Sequence, residues 1–187
     1  MPARLMVRPL RGYEQLASAA EGEAQPRVIV SALRFLFILG AFVTVTATGR
    51  LVPAEIVSAM VSFAYLPLIH AIAVALAARA VAPLRSPARV FALYAEGYGP
   101  WFFFLLLVAG GSLFAPSPAG LLAATSGWLL LGAVLWSAVL TFACFRSGLG
   151  LSRARATAAT ALHYLVITSL ILGYYVAAGQ LLPILPR

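Results

Sequence analysis

The sequence predicts an all-α, polytopic membrane protein with five transmembrane helices, a cytoplasmic N-terminus and an exported C-terminus. Three observations carry this prediction. Of the 187 residues, 63% are apolar, whereas a soluble domain is usually about half apolar and about a quarter charged. Charge is confined to 13 Arg and 5 Glu, with no Lys, Asp or Asn. The apolar residues fall in five long runs rather than the short alternating segments of a membrane barrel. At about 20 residues per span, five helices occupy roughly 100 positions and leave short loops and one modest terminal segment. No second domain fits.

In chain order, residues 1–27 read as a cytoplasmic segment carrying Arg4, Arg8, Arg11, Glu14, Glu21 and Glu23, with a short helical stretch from Tyr13 to Ala20. Its apolar run begins only near Val28, too far from the first basic residues for a secretory signal, so the segment is expected to stay attached. Residues 28–182 form the transmembrane domain, and 183–187 a short tail. The runs are Val28 to Thr48, Ile56 to Ala78, Val90 to Phe114, Ala123 to Phe145 and Ala156 to Leu182. Each is apolar on all faces and long enough to cross a bilayer. The third is interrupted near its start by Gly97, Gly99 and Pro100 and near its end by Gly110 and Gly111, and a kink is expected there.

Arginine placement gives the orientation. Arg4, Arg8, Arg11, Arg27 and Arg34 precede or open the first run, Arg79, Arg85 and Arg89 link the second and third, and Arg146, Arg153 and Arg155 link the fourth and fifth. Only Arg50 and Arg187 lie on the other side. Eleven against two is a positive-inside pattern. Arg79, Arg85, Arg89, Arg146, Arg153 and Arg155 therefore set topology and pair with anionic headgroups, and no nucleic-acid partner is expected despite the net charge of +8.

Missing residue types exclude chemistry. Without Lys there is no pyridoxal or retinal Schiff base and no Gly-Lys-Ser/Thr phosphate loop. The single Cys144 excludes an intrachain disulfide or a multi-Cys zinc site, and it reads as a buried thiol.

The run Ala92-Leu93-Tyr94-Ala95-Glu96-Gly97-Tyr98-Gly99-Pro100-Trp101 opens the third span after a basic loop with Pro83, Arg85 and Pro87. Downstream come a fourth span with Trp128 and Trp136, a Gly148 to Ser152 loop, and a basic, Ala-rich start to the last span from Arg153 to Ala161. Over residues 28–182 this resembles the Yip family, five-span membrane proteins named for interaction with Ypt/Rab GTPases, with many bacterial relatives. The matching positions are Tyr94, Gly97, Tyr98 and Pro100, with a fainter match at Arg8-Pro9-Leu10, Tyr13 and Leu16. The resemblance implies a bacterial inner-membrane protein with a noncatalytic role in membrane organisation, scaffolding or complex assembly. It implies as partners the bilayer and other membrane proteins or further copies of this chain. The GTPase partner belongs to eukaryotic members and is not carried over.

Three ionisable residues lie within spans, where burial is costly and marks functional candidates. His70, His163 and Glu96 sit about 12, 10 and 9 Å from the arginine-bearing ends of their helices at 1.5 Å per residue. They form a candidate polar layer. If they face one another they could bind a divalent metal, ligate a haem or relay protons; otherwise each satisfies a local backbone carbonyl, Tyr or Arg. Ala159, one turn below His163, would let a flat macrocycle approach the backbone. No metal site and no resident cofactor are assigned.

Trp101 to Phe104 reads as lipid or partner contact, Trp128 as an interfacial anchor and Trp136 as packing. Small residues at Gly40, Thr44 and Thr48, and at Ala154 and Ala158, offer close helix contacts. No motif assembles nucleophile, base and oxyanion donors, so the chain does not read as an enzyme. The alternatives to the scaffold reading are a transporter or channel subunit, and an accessory subunit of a respiratory or photosynthetic complex binding a cofactor through His70 or His163.

Overall fold

A computed structural model describes residues 3–19, 24–81, 86–114 and 119–181. Every described element is helical, and no strand occurs among the described residues. The elements are α1 (Ala3–Val7), α2 (Pro9–Ala19), α3 (Ala24–Thr48), α4 (Pro53–Ser62), α5 (Tyr65–Val81), α6 (Pro87–Ala95), a 3₁₀ turn (Glu96–Tyr98), α7 (Gly99–Phe114), α8 (Ala119–Ala143), a π-helical segment (Cys144–Gly148) and α9 (Arg153–Leu181). They provide five segments long and apolar enough to cross a membrane: Val28–Thr48, Pro53–Val81, Pro87–Phe114, Ser126–Gly148 and Arg153–Gly179.

Two spans are less regular than their apolar runs imply. The second divides at Phe63 and Ala64 into α4 and α5. Pro67 is the cause: it has no N–H for the Phe63 carbonyl, and its ring crowds that carbonyl. The chain rejoins through Leu66 N–H to Phe63 O at 3.0 Å. The third breaks at Glu96–Tyr98, where α6 passes through one 3₁₀ turn into α7, and α7 then runs unbroken through Gly110 and Gly111. At the end of the fourth, Leu149 N–H reaches back five residues to the Cys144 carbonyl at 3.0 Å, which widens the helix there.

Helix α3 packs on α4, α6 and α7; α5 packs on α6 and α9; α8 packs on α7 and α9. Gly40 permits the first of these approaches, because a methyl group there would lie 2.8 Å from the Ile56 carbonyl oxygen. The core gathers at the end that bears Arg79, Arg89, Arg146, Arg153 and Arg155. It is built from Phe35, Val74, Ala77, Val90, Tyr94, Leu140, Cys144, Phe145, Ala156 and Ala159, among others. The opposite half carries large exposed side chains, including Phe114, Trp128, Leu172, Tyr175 and Val176. There α5 and α9 meet through stacked rings of Tyr65 and Tyr174, 4.2 Å between centroids.

The N-terminal segment is part of this core. Helices α1 and α2 form a hairpin, with Gly12 against Leu5, and α2 packs on the π-helical segment, α8 and α6. Leu5 and Tyr13 are fully buried. The Arg89 guanidinium donates to the Ala17 carbonyl at 3.1 Å, satisfying a carbonyl in the last turn of α2. Helix begins at Ala3, ahead of the Tyr13 to Ala20 stretch expected from sequence.

Small-residue contacts also differ in part. Ala156 and Ala159, not Ala154 and Ala158, face the core from α9. In a span this rich in alanine, spacing alone does not give the helix phase.

Candidate functional site

His70 and His163 come together. The former lies on α5 and the latter on α9, the two helices sharing an extended contact, and their ring centroids are 6.3 Å apart. Tyr94 from α6 stands between them: its hydroxyl and His70 Nδ1 share a hydrogen bond of 2.8 Å, and its ring centroid is 5.0 Å from that of His163. Tyr98, carried one turn further by the 3₁₀ segment, meets His70 edge-on at 5.6 Å. Phe35 of α3 closes the side with its centroid 4.8 Å from Tyr98. Five helical segments thus converge on one aromatic, polar cluster.

The cluster is incompletely satisfied. Neither ring nitrogen of His163 makes a well-formed hydrogen bond, although the Ala73 backbone lies within interaction range. The Tyr13 and Tyr98 hydroxyls are also buried without partners. Such groups lose solvation without recovering it, at about 1–3 kcal/mol each. A second polar knot lies beside the first on α8: Ser137 Oγ accepts from Trp101 Nε1 at 3.3 Å and from the Tyr164 hydroxyl at 3.4 Å.

Glu96 does not complete a metal-holding group with the histidines. Among the described residues, no group of three His, Cys, Asp or Glu side chains is placed to hold a metal ion. Glu96 instead acts electrostatically on Tyr13. Burial, with lesser contributions from the neighbouring Cys144 thiol and the Glu96 carboxylate, holds the Tyr13 phenol well above its ordinary value of 10.

Gly97 and Tyr13 form the closest contact of the site. A methyl group at Gly97 would lie 2.6 Å from the Tyr13 hydroxyl oxygen. Gly97 is therefore the socket into which the N-terminal hairpin inserts its phenol, while Gly99 and Pro100 are buried at the start of α7. The seam between Tyr13, Tyr94, Gly97, Tyr98, Ser137, Leu140 and Thr141 is too small for a water molecule. Packing also fills the face below His163. Ala159 and His163 are fully buried.

Arg146 donates to the Leu151 carbonyl and closes the loop after the fourth span. Arg153 opens α9, and with Leu10, Glu14, Phe142, Arg146, Ser147 and Gly150 it lines an open cleft of about 610 Å³. Arg79 and Arg155 are exposed and Arg89 half-buried. Arg85 lies outside the described residues, as do Arg187 and the side chains of Arg4 and Arg27.

Sequence reading underrated two aromatic positions. Trp136 is exposed rather than packed, and with Trp128, Phe103 and Gly132 it lines an apolar groove between α7 and α8. Trp101 is the tryptophan that packs inward, onto Ser137. Cys144 is fully buried. Tyr13 and Ser137 were not singled out as site residues. For Tyr13 the available signal was the helical stripe of Pro9, Tyr13, Leu16 and Ala17.

No family model, no curated protein and no solved structure matches this chain.

Proposed function

We propose that the chain is a Yip-like integral membrane protein of the bacterial inner membrane, with its arginine-bearing end and N-terminus cytoplasmic and its C-terminus exported. Its role is noncatalytic: it organises, scaffolds or assembles other membrane components. The observation that carries this reading is the contrast between a sealed polar interior and an open apolar exterior. His163 is fully buried, and the seam between Tyr94, Tyr98 and Ser137 beside it is too small for water. Large apolar side chains such as Phe37, Val61, Leu68, Phe103, Leu135 and Leu165 point away from the bundle. Lipid covers such a surface, and neighbouring membrane helices can share it.

The test is extraction of the native protein with surrounding lipid into polymer-bounded discs, followed by sizing and composition. The reading predicts an assembly of fixed stoichiometry with itself or another membrane protein. A solitary chain, in discs and after cross-linking in intact membranes, contradicts it.

A second reading, a proton or cation transport subunit, draws on the buried ring of His163, neither of whose nitrogens makes a well-formed hydrogen bond, beside His70. Flux into liposomes that is lost on His163→Ala and on Glu96→Gln would favour it over the scaffold. An absorption spectrum of the purified protein tests the cofactor-bearing alternative, which predicts a band lost on His163→Ala.

A further inference from the structure

We infer that the cleft between α2, the π-helical segment and the start of α9 is a binding site for a phospholipid headgroup of the ethanolamine type. It needs only that the chain sits in a bilayer and is independent of any organising role.

The cleft measures about 610 Å³ and is lined by Leu10, Glu14, Phe142, Arg146, Ser147, Gly150 and Arg153. Its charged set is two guanidinium groups and one carboxylate. Arg146 is fixed in place by its bond to the Leu151 carbonyl, which leaves further N–H groups of its fork free. A guanidinium held in one orientation binds phosphate oxygens well, because little side-chain freedom remains to be lost. Arg153 adds a second positive charge, and it stands at the N-terminus of a 29-residue helix. There Ser152 Oγ accepts from the Arg155 N–H at 3.4 Å, and the helix dipole favours an anion.

Glu14 narrows the ligand. A polyanion such as a nucleoside triphosphate would meet repulsion from this carboxylate and find only two positive side chains. A phosphodiester carrying an ammonium group matches the set, with phosphate toward Arg146 and Arg153 and N–H donors toward Glu14. The apolar wall is formed by Leu10 and Phe142, and Leu10, like Val7 at the end of α1, is exposed on the hairpin, so acyl chains can follow the headgroup along the protein. The cleft lies where the fourth span ends and the fifth begins, the level at which headgroups sit.

The test uses the purified full chain, stripped of lipid in detergent and titrated with short-chain phosphatidylethanolamine, with phosphatidylcholine of the same chains, and with inorganic phosphate alone. Thermal unfolding and adducts retained in native mass spectrometry are the readouts. Phosphatidylethanolamine is expected to raise the unfolding temperature and to bind about tenfold more tightly than phosphatidylcholine, whose quaternary ammonium has no N–H for Glu14. Arg153→Gln weakens both lipids about tenfold. Glu14→Gln removes the preference, weakening phosphatidylethanolamine more than phosphatidylcholine, which loses only Coulombic attraction and no N–H hydrogen bond. Both side chains are exposed, so lipid-free stability of the variants should match that of the parent. Equal binding of the two lipids by the parent chain overturns the inference without recourse to any variant. Stabilisation by inorganic phosphate equal to that by phosphatidylethanolamine also overturns it, and gives the cleft to a free phosphate.

Discussion

Replacing Gly97 with alanine tests how the N-terminal hairpin is held. The added methyl would lie 2.6 Å from the Tyr13 hydroxyl oxygen, but 3.9 Å from the ring carbon that bears it and 3.7 Å from Leu140 Cβ. The conflict is therefore with one oxygen atom. Tyr13 is fully buried, so its ring has nowhere to retreat without moving α2. Overpacking of this kind costs about 1–3 kcal/mol. Tyr13→Phe removes the oxygen, and because that hydroxyl has no hydrogen-bond partner its loss is neutral or mildly stabilising. In the double variant the methyl meets a ring carbon at ordinary van der Waals distance, and the cost of Gly97→Ala disappears. The cycle therefore predicts a coupling energy of about 1–3 kcal/mol. Any gain in helix propensity from Gly to Ala occurs in both backgrounds and cancels. Denaturant unfolding in detergent micelles measures the four stabilities, and trypsin cleavage after the exposed Arg11 reports hairpin release in Gly97→Ala alone. Additivity of the two substitutions within about 0.5 kcal/mol would refute the proposed contact.

Gly40→Ala places a methyl 2.8 Å from the Ile56 carbonyl oxygen; since backbone cannot swing aside, a loss of about 1–3 kcal/mol is expected in the same unfolding assay. Tyr94→Phe removes the partner of His70 Nδ1 and should cost about 1–3 kcal/mol, whereas Tyr98→Phe, which deletes an unpartnered hydroxyl, should cost far less. Arg89→Gln releases the Ala17 carbonyl and is expected to speed proteolysis of α2 while leaving the spans folded. The native Tyr13 phenol keeps its proton to higher pH than the unfolded one, so the native state binds more protons and stability falls as pH rises past about 10. Comparing unfolding of Tyr13→Phe and parent between pH 9 and 11 should show a shallower decline in the variant.

Span positions were legible because a crossing helix is announced by composition alone, over a window of about 20 residues. The third-span break was legible for the same local reason, since Gly97, Gly99 and Pro100 stand in an apolar run. Pro67 was equally visible, yet the unbroken hydrophobicity of Ile56 to Ala78 concealed the division it causes at Phe63. Depth along a helix follows from counting, but the direction a residue faces does not. Counting puts His70, Glu96 and His163 at one level, whereas the structure gathers the two histidines around Tyr94. Glu96 lies one 3₁₀ step away, under the influence of Tyr13. The N-terminal hairpin was the least legible element. Its polar face carries Arg8, Arg11 and Glu14 and dominates the composition, whereas the residues that dock it, Leu5 and Tyr13, are two positions in a short segment.

The most direct test of the account is the sidedness of the two chain ends in the native membrane. Fusions to alkaline phosphatase and to a fluorescent protein that matures only in the cytoplasm, placed at each end of the full chain, give the readout. Five crossings with the arginine-bearing end inward predict fluorescence at the N-terminus and phosphatase activity at the C-terminus. The same signal from both ends would mean an even number of crossings and would contradict the architecture on which the proposed role rests.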